Sequence, residues 1–391
     1  VTGEWKECKL GDACEQVLTG GTPLTKKSDY YLNGKIPWLK TKEVNFCRIN
    51  KTENYISELG LANSAAKLIP ANSVIVAMYG QGDTAGRVAI NKIPLATNQA
   101  CCNLVIDNKI ADYHFIYYLL KNSYFELVLR KTGSAQPNLN TKLLKDFDIF
   151  LPPLPEQHAI ASVLSSLDDK IDLLHRQNKT LEAMVETLFR QWFVEEADEE
   201  WEEGVLPDEF DFTMGQSPPG TSYNQEGVGM PMFQGNADFG FRFPEERVYT
   251  TKPTQLAYPH DTLISVRAPV GAQNMAKVKC CIGRGVSAFR YKANNDFYTY
   301  TYFKLRSLMD EIKKFNDDGT VFGSISKTDF LQIETVIPPE ETIEKFEIYA
   351  KPLNDKIIEN CTQIKLLEVM RDTLLPKLMS GEVRVECEDM G

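Results

Sequence analysis

Catalytic groupings are scarce in this chain. Its four histidines, His114, His158, His175 and His260, are scattered with no ligand spacing. The nine cysteines include no C-x-x-C pair, so neither a zinc nor a redox motif is supported. They fall mostly in apolar runs such as QACCNLVI and VKCCIGRG, as reduced core thiols do. No apolar run approaches the ~18 residues of a membrane span. The opening VTGEWKECKL has no basic-then-apolar leader pattern, so a cytoplasmic protein is expected. YGQGDTAG, with Gly80, Gly82 and Gly86, is G-x-G-x-x-x-G rather than a dinucleotide fingerprint. SPPG at Ser217–Gly220 lacks the aromatic with which an adenine methyltransferase holds a flipped base. There is no G-x-S-x-G elbow. Asp168-Asp169-Lys170 imitates a nuclease D-x-K, but its repeat has Asn354 in the ligand position, and a solvated helix face is expected there. With no catalytic, cofactor or metal site legible, the chain reads as a binder rather than an enzyme.

What is present is a repeat. LEAMVETL begins at Leu181 and LEVMRDTL at Leu367, 186 residues later. The same offset carries LPPLPEQ at Leu151 onto IPPEETI at Ile337, DDKI at Asp168 onto NDKI at Asn354, and Gly133 onto Gly319. A period of half the 391-residue chain is far too long for a solenoid and marks a tandem duplication.

The repeated phrases lie in helical patterns. Apolar residues fall at Ile160, Leu164, Leu167, Ile171, Leu174, Leu181, Val185, Leu188 and Trp192, at spacings of three and four, with Asn178 in one slot. The second copy has Phe346, Ala350, Leu353, Ile357, Ile364, Leu367, Leu374 and Leu378, with polar breaks at Asn360 and Arg371. A seam sustained over more than four heptads predicts a coiled coil. The two helices are expected to pair with each other. Asn178 and Asn360 then either fix register at a cost in stability or face solvent at imperfect heptad sites. The first helix is expected from Glu156 to Phe193, about 57 Å at ~1.5 Å per residue. Pro352 is expected to kink or fray the start of the second.

The organisation that follows is a mixed α and β block at 1–150, a helix at 151–194, an acidic linker at 195–211, a second mixed block at 212–336, a second helix at 337–381 and a tail at 382–391. The fold class is therefore α+β. NSVIVAMY and DTLISVRA read as strands, and DYHFIYYLLKNSYFELVL and DFYTYTYFKLRSLMDEIKKF as helices. The net charge of −11 is unevenly spread. Residues 195–211 hold ten acidic and no basic residues, whereas 1–150 has 18 Lys+Arg against 14 Asp+Glu, and 212–336 has 14 against 12. The two large blocks are thus mildly basic, which is compatible with phosphate contacts.

Two related but different loop-rich blocks on a helical spacer suggest a molecular caliper, and the loops are rich in residues that read base edges. In the first block these are Gln81, Arg87, Gln136 and Asn138. In the second they are Gln216, Asn224, Gln234, Asn236, Arg242, Arg267, Gln273 and Asn274. Lys26, Lys27, Lys40 and Lys42 are candidate phosphate contacts, which position without specifying sequence.

At this point the chain resembles, over essentially its whole length, the specificity subunit of type I restriction-modification systems. The resemblance rests on LPPLPEQHAIASVLSSLDDKIDLLHRQNKTLEAMVETLFRQWF and its second copy, and on the block openings LGDACEQVLTGGTP and MGQSPPGTSYNQEGVGMPMFQGNADFG. The second copy departs at Glu340-Glu341-Thr342, where the first has Leu154-Pro155-Glu156. The resemblance implies two target-recognition domains held apart by antiparallel helices, each domain reading half of a split, asymmetric site in double-stranded DNA. It implies that two modification subunits, carrying S-adenosylmethionine, dock on the helices and methylate adenine, and that restriction subunits using ATP and magnesium can join. Two rivals stay open: a self-contained methyltransferase, which would bind S-adenosylmethionine itself, and a protein-only scaffold with no duplex affinity.

Overall fold

Val74–Ala77 and Thr262–Ser265 form strands buried at every position, as β-branched runs sandwiched between two layers do. They mark the same place in two units that the chain builds one after the other. The computed structural model describes residues 4–80, 82–131, 138–267, 269–314 and 323–385. One unit comprises Val1–Ile171 with Leu366–Gly391, the other Asp172–Lys365.

In the first unit a five-stranded sheet has the order Cys14–Thr19, Cys101–Ile106, Val74–Ala77, Val88–Asn91, Cys47–Ile49. Strand alternation divides its side chains between two layers. Val74, Val76, Ile90 and Leu104 pack on one side with Phe115, Ile116 and Leu119 of the helix Tyr113–Asn122. Ile75, Ala77, Ala89 and Cys101 pack on the other with Leu39, Ile69 and Leu95, which belong to a second sheet ordered Asn54–Ile56, Ile36–Leu39, Leu95–Thr97, Leu68–Ile69. The helix is buried from Phe115 to Leu120 because the long helices cover its other face through Ile160, Leu164, Leu375 and Leu378. Asp112 caps it, accepting the Phe115 N–H at 2.9 Å.

The second unit repeats this plan. Its sheets run Phe210–Met214, Val286–Tyr291, Thr262–Ser265, Gln273–Met275, and Tyr223–Asn224, Tyr249–Thr250, Met230–Phe233, Cys280–Ile282, Gln255–Ala257. The helix Tyr298–Ser307 corresponds to Tyr113–Asn122. It lacks a side-chain cap at Phe297, and Glu347 of the second long helix takes that role, accepting the Tyr300 N–H at 2.7 Å. Each unit is closed by a strand pair, Lys6–Lys9 with Asp148–Leu151 and Glu202–Val205 with Glu334–Ile337. The segment expected as an acidic linker, 195–211, therefore supplies a strand and the short helix Leu206–Glu209. Its acids hid the pattern, although Leu206, Glu209 and Phe210 are buried. The long helical runs expected after the strands are each broken, with a second helix at Tyr124–Leu129 and at Met309–Lys314.

The long helices are Leu154–Arg190, followed by a π-helical turn at Gln191–Glu195, and Glu340–Met379. Within each unit their segments run antiparallel: Glu156 meets Arg384 and Asp168 meets Arg371 in the first, Asn178 meets Asn360 and Phe189 meets Phe346 in the second. The helix is not frayed at Pro352, which lies inside the continuous run Glu340–Met379. Pro352 lies on the exposed side of the helix, as does Ile348, 69% exposed and one turn before it.

Of the expected seam, Leu164, Ile171, Leu174, Ile357 and Ile364 are buried, whereas Leu167, Leu181, Leu188, Leu353, Leu367 and Leu374 are only half-buried. Val185, Phe189, Asn354 and Leu375 are buried beside them, because the domains as well as the partner helix cover these helices. Asn178 and Asn360 are both fully buried and bond to each other, Asn360 Nδ2 donating to Asn178 Oδ1 at 2.8 Å. Asp168 is not on a solvated face. It is part-buried, accepts from the Tyr118 hydroxyl at 2.6 Å and pairs with Arg371 at 2.9 Å, since a guanidinium in a seam slot needs a carboxylate. Eight of the nine cysteines lie in described residues, and no disulfide joins any two of those eight. No helix among the described residues is long and apolar enough to cross a membrane.

Candidate nucleic-acid interface

Three chain-distant loops are tied together by main-chain hydrogen bonds, and the same ties occur in both units. In the second unit, Gln216 N–H donates to Ile282 at 3.0 Å, Gly283 N–H to Phe233 at 2.8 Å, and Val266 N–H to Gly285 at 2.9 Å. In the first, Gly21 N–H donates to Thr97 at 2.9 Å, Asn98 N–H to Leu39 at 2.9 Å, and Met78 N–H to Ala100 at 2.8 Å. The approach is close enough that a Cβ on Gly285 would collide with the Gln234 carbonyl, and one on Gly20 with the Asn98 carbonyl. The middle loop is in each case a single 3₁₀ turn, Thr41–Glu43 or Asn236–Asp238, held by a carboxylate that accepts an N–H at its start. Glu43 accepts from Lys40 at 3.0 Å and Asp238 from Gln234 at 2.7 Å. The result is a rigid platform with side chains projecting from three directions, the preorganisation that recognition requires.

The platforms gather some of the residues expected from sequence. The first carries Lys40, over the Trp38 ring and 3.2 Å from Asn54 Oδ1, and Lys42, which is exposed and paired with Glu53. The second carries Gln216, Gln234 and Asn236, all exposed. They also carry residues that sequence reasoning missed. The Thr22 hydroxyl donates to the exposed Gln99 in the first unit. Ser217 Oγ accepts the backbone N–H of Arg284 at 3.4 Å in the second. Thr22 and Ser217 occupy equivalent positions, as do Gln99 and Arg284. The only sequence signal was the glycine on each side of Arg284, in IGRGV.

Other expected residues lie elsewhere. Lys26 is exposed, and Lys27 donates to the Tyr30 hydroxyl at 3.1 Å. Arg87 donates to Asn45 at 3.0 Å, and Asn138 is half-buried. Arg267 is exposed on a strand-like bridge to Ser324. Gln81 and Gln136 lie outside the described residues, as do Gly133 and Gly319 of the repeat. Four residues serve the fold instead of facing outward. Asn224 closes a turn through both side-chain atoms onto Val228. Gln273 donates to the Tyr302 carbonyl at 2.6 Å, and the buried Asn274 to that of Gly240 at 2.8 Å. Arg242 is 1% exposed, stacked 4.0 Å from the Tyr302 ring and paired with Glu182 at 3.1 Å, which corrects the expectation that it reads bases. Arg306 grips the same carboxylate at 2.8 Å.

Two buried carboxyls of the second unit lie on its helices. Burial pushes the Glu347 carboxyl up to about 7 and also raises that of Glu209, which accepts from the Tyr300 hydroxyl.

The repeated phrase of the long helices shows matching burial in its two copies. Ala183, Met184 and Thr187 are exposed in the second unit, and Val369, Met370 and Thr373 in the first. Leu181 and Leu188, like Leu367 and Leu374, are half-buried beside them. Each unit therefore presents one copy of the same mainly apolar stripe, and exposed apolar patches mark interaction surfaces.

Residues 2–183 match the family described as the type I restriction modification DNA specificity domain. The putative type I restriction enzyme MjaX specificity subunit of Methanocaldococcus jannaschii is 30% identical over 409 residues, covering 99% of this chain and 95% of the relative. The MjaIX specificity subunit of the same organism is 29% identical over 423 residues, again covering 99% and 95%. A crystal structure of the type-I restriction-modification system S subunit from M. genitalium shares the fold, with a TM-score of 0.64 at 21% identity over 96% of each chain. With its duplicated platforms and helices, the chain belongs to the family of type I restriction-modification specificity subunits.

Proposed function

We propose that this chain is the non-catalytic, DNA-reading subunit of a type I restriction-modification enzyme. Each unit reads one half of a split, asymmetric duplex site through its three-loop platform. The observation that carries this reading is the platform itself, built twice on one backbone plan and furnished with different polar side chains. Two identical domains would favour a palindrome, whereas two differently furnished ones favour an asymmetric site. Lysines such as Lys26 and Lys27 position the duplex through phosphates.

The long helices set the unspecified gap between the half-sites. The first, of 37 residues, is about 55 Å long at ~1.5 Å per residue. They also dock two modification subunits, and the paired stripes around Met184 and Met370 supply two copies of one docking surface. Adenine-N6 methylation then takes place on those partners, which hold S-adenosylmethionine. Restriction subunits using ATP and magnesium join for cleavage.

The test is to map N6-methyladenine in a methylation-free host expressing the cognate modification subunit, with and without this chain. A split motif methylated only in the presence of the chain is expected. No new methylation, despite verified complex formation, would overturn the reading.

A further inference from the structure

We infer that Arg284 and Gln99 are the equivalent base-reading residues of the two platforms, Arg284 reading a guanine in one half-site and Gln99 an adenine in the other. The inference rests on the function proposed above and assigns chemistry to its sites. Both residues lie at the tip of the same loop, Asn98–Ala100 in the first unit and Gly283–Gly285 in the second. Both loops are tied on either side by main-chain bonds, so the side chains project from a backbone that need not reorganise on binding.

Arg284 differs from four arginines of the second unit in having no carboxylate partner among the described residues, a property it shares with the exposed Arg267. Arg242, Arg247, Arg290 and Arg306 each pair with a carboxylate, Arg247 with Asp238 beside the platform itself. Among the described residues none bonds the Arg284 guanidinium, which is exposed. Its flat fork of donors matches O6 and N7 of guanine, and the side chains around it, Gln216, Gln234 and Asn236, are amides and not further cations. With Arg247, the cation beside the platform, held by Asp238, that setting suits a base edge better than a phosphate track. Gln99 offers the complementary pattern. Its carbonyl already accepts from Thr22, which orients the amide and leaves one lone pair and both N–H groups for N6 and N7 of adenine.

The complex of this chain with its modification subunit is tested on a randomised duplex library, comparing wild type with Arg284→Ala, Arg284→Lys and Gln99→Ala. Arg284→Ala is expected to lose roughly tenfold to a hundredfold discrimination at one G·C position of one half-site, with the other half unchanged. Arg284→Lys, which keeps the charge but not the fork, should lose the same discrimination while retaining overall affinity. Gln99→Ala should relax one A·T position in the opposite half. Equal weakening on every sequence, with a shallower salt dependence, would mean a phosphate contact and overturn the inference. So would unchanged discrimination in all three variants. If the wild-type complex shows no sequence preference, the proposed function itself fails, which separates the two outcomes.

Discussion

Leading into and within the 3₁₀ turn after its Ile36–Leu39 strand the first unit carries Lys40 and Lys42; around the corresponding turn after Met230–Phe233 the second carries Gln234 and Asn236. Behind these turns the main-chain bonds agree from one unit to the other within a few tenths of an ångström. The scaffold is shared because its bonds are backbone bonds and its contacts are glycines and small residues. The furnishing differs because those side chains face solvent, where substitution is nearly free of stability cost. Such a design lets recognition vary while the fold stays.

The same comparison extends to how each domain is fastened to the helices. In the second unit Glu182 is held by two arginines, Arg242 and Arg306. At the equivalent places the first unit has Glu368 and, where the second unit has Arg306, Lys121, which carries a single ammonium in place of a forked guanidinium. In the helix pair of the second unit the Asn178–Asn360 layer is polar, while the 186-residue offset maps these two residues onto Ile364 and Leu174 of the same unit, both buried and apolar.

The largest effect is expected from four residues inserted into each long helix, after Gln177 and after Gln363. The insertion should lengthen the methylated motif's gap by about two base pairs, from ~6 Å of added helix, with both half-sites intact. An unchanged gap in the methylation map would break the caliper comparison. Next, Arg242→Ala should destabilise the second unit by about 3 kcal/mol, because a buried ion pair loses one partner while Arg306 still holds Glu182. Calorimetry should show the second unit's transition falling and the first unit's unmoved.

Glu347→Gln should be of similar size but dependent on pH. The Glu347 carboxyl is raised to about 7 by burial, so its contribution is fully present below the unfolded value near 4.5 and is lost as pH rises to about 7. That amounts to about 3 kcal/mol for the 5%-exposed side chain. The glutamine keeps an acceptor for the Tyr300 N–H and cannot ionise. Its melting temperature should decline less between pH 4.5 and 7 than that of the wild type, the raised Glu209 carboxyl keeping part of the slope. A parallel decline in both proteins would assign the pH dependence elsewhere. The smallest effect is expected from Asn178→Ile with Asn360→Leu, which copies the apolar layer and should raise stability by about 1 kcal/mol. A lower melting temperature would mean that the asparagine bond contributes more than its burial costs.

Much of this was legible before folding. The offset between LEAMVETL and LEVMRDTL located both helices within a few residues of their ends. Strand positions at Val74–Ala77 and Thr262–Ser265 followed from β-branched runs. The seam was only half legible, since a helix covered both by a partner and by a domain buries more than its heptad positions. Expected base readers such as Arg242 and Asn274 went inside because polarity alone does not tell a solvent-facing group from one satisfied by a buried partner.

The sequence by itself determined that one unit would be built twice around two long helices, because hydrophobic periodicity and self-similarity are local and repeat without reference to contacts. Only the tertiary structure decided that Thr22, Lys40 and Gln99, or Ser217, Gln234 and Arg284, share one surface. Those residues are brought together by pairing between strands far apart in the chain, and no local pattern records which loops such pairing will make neighbours.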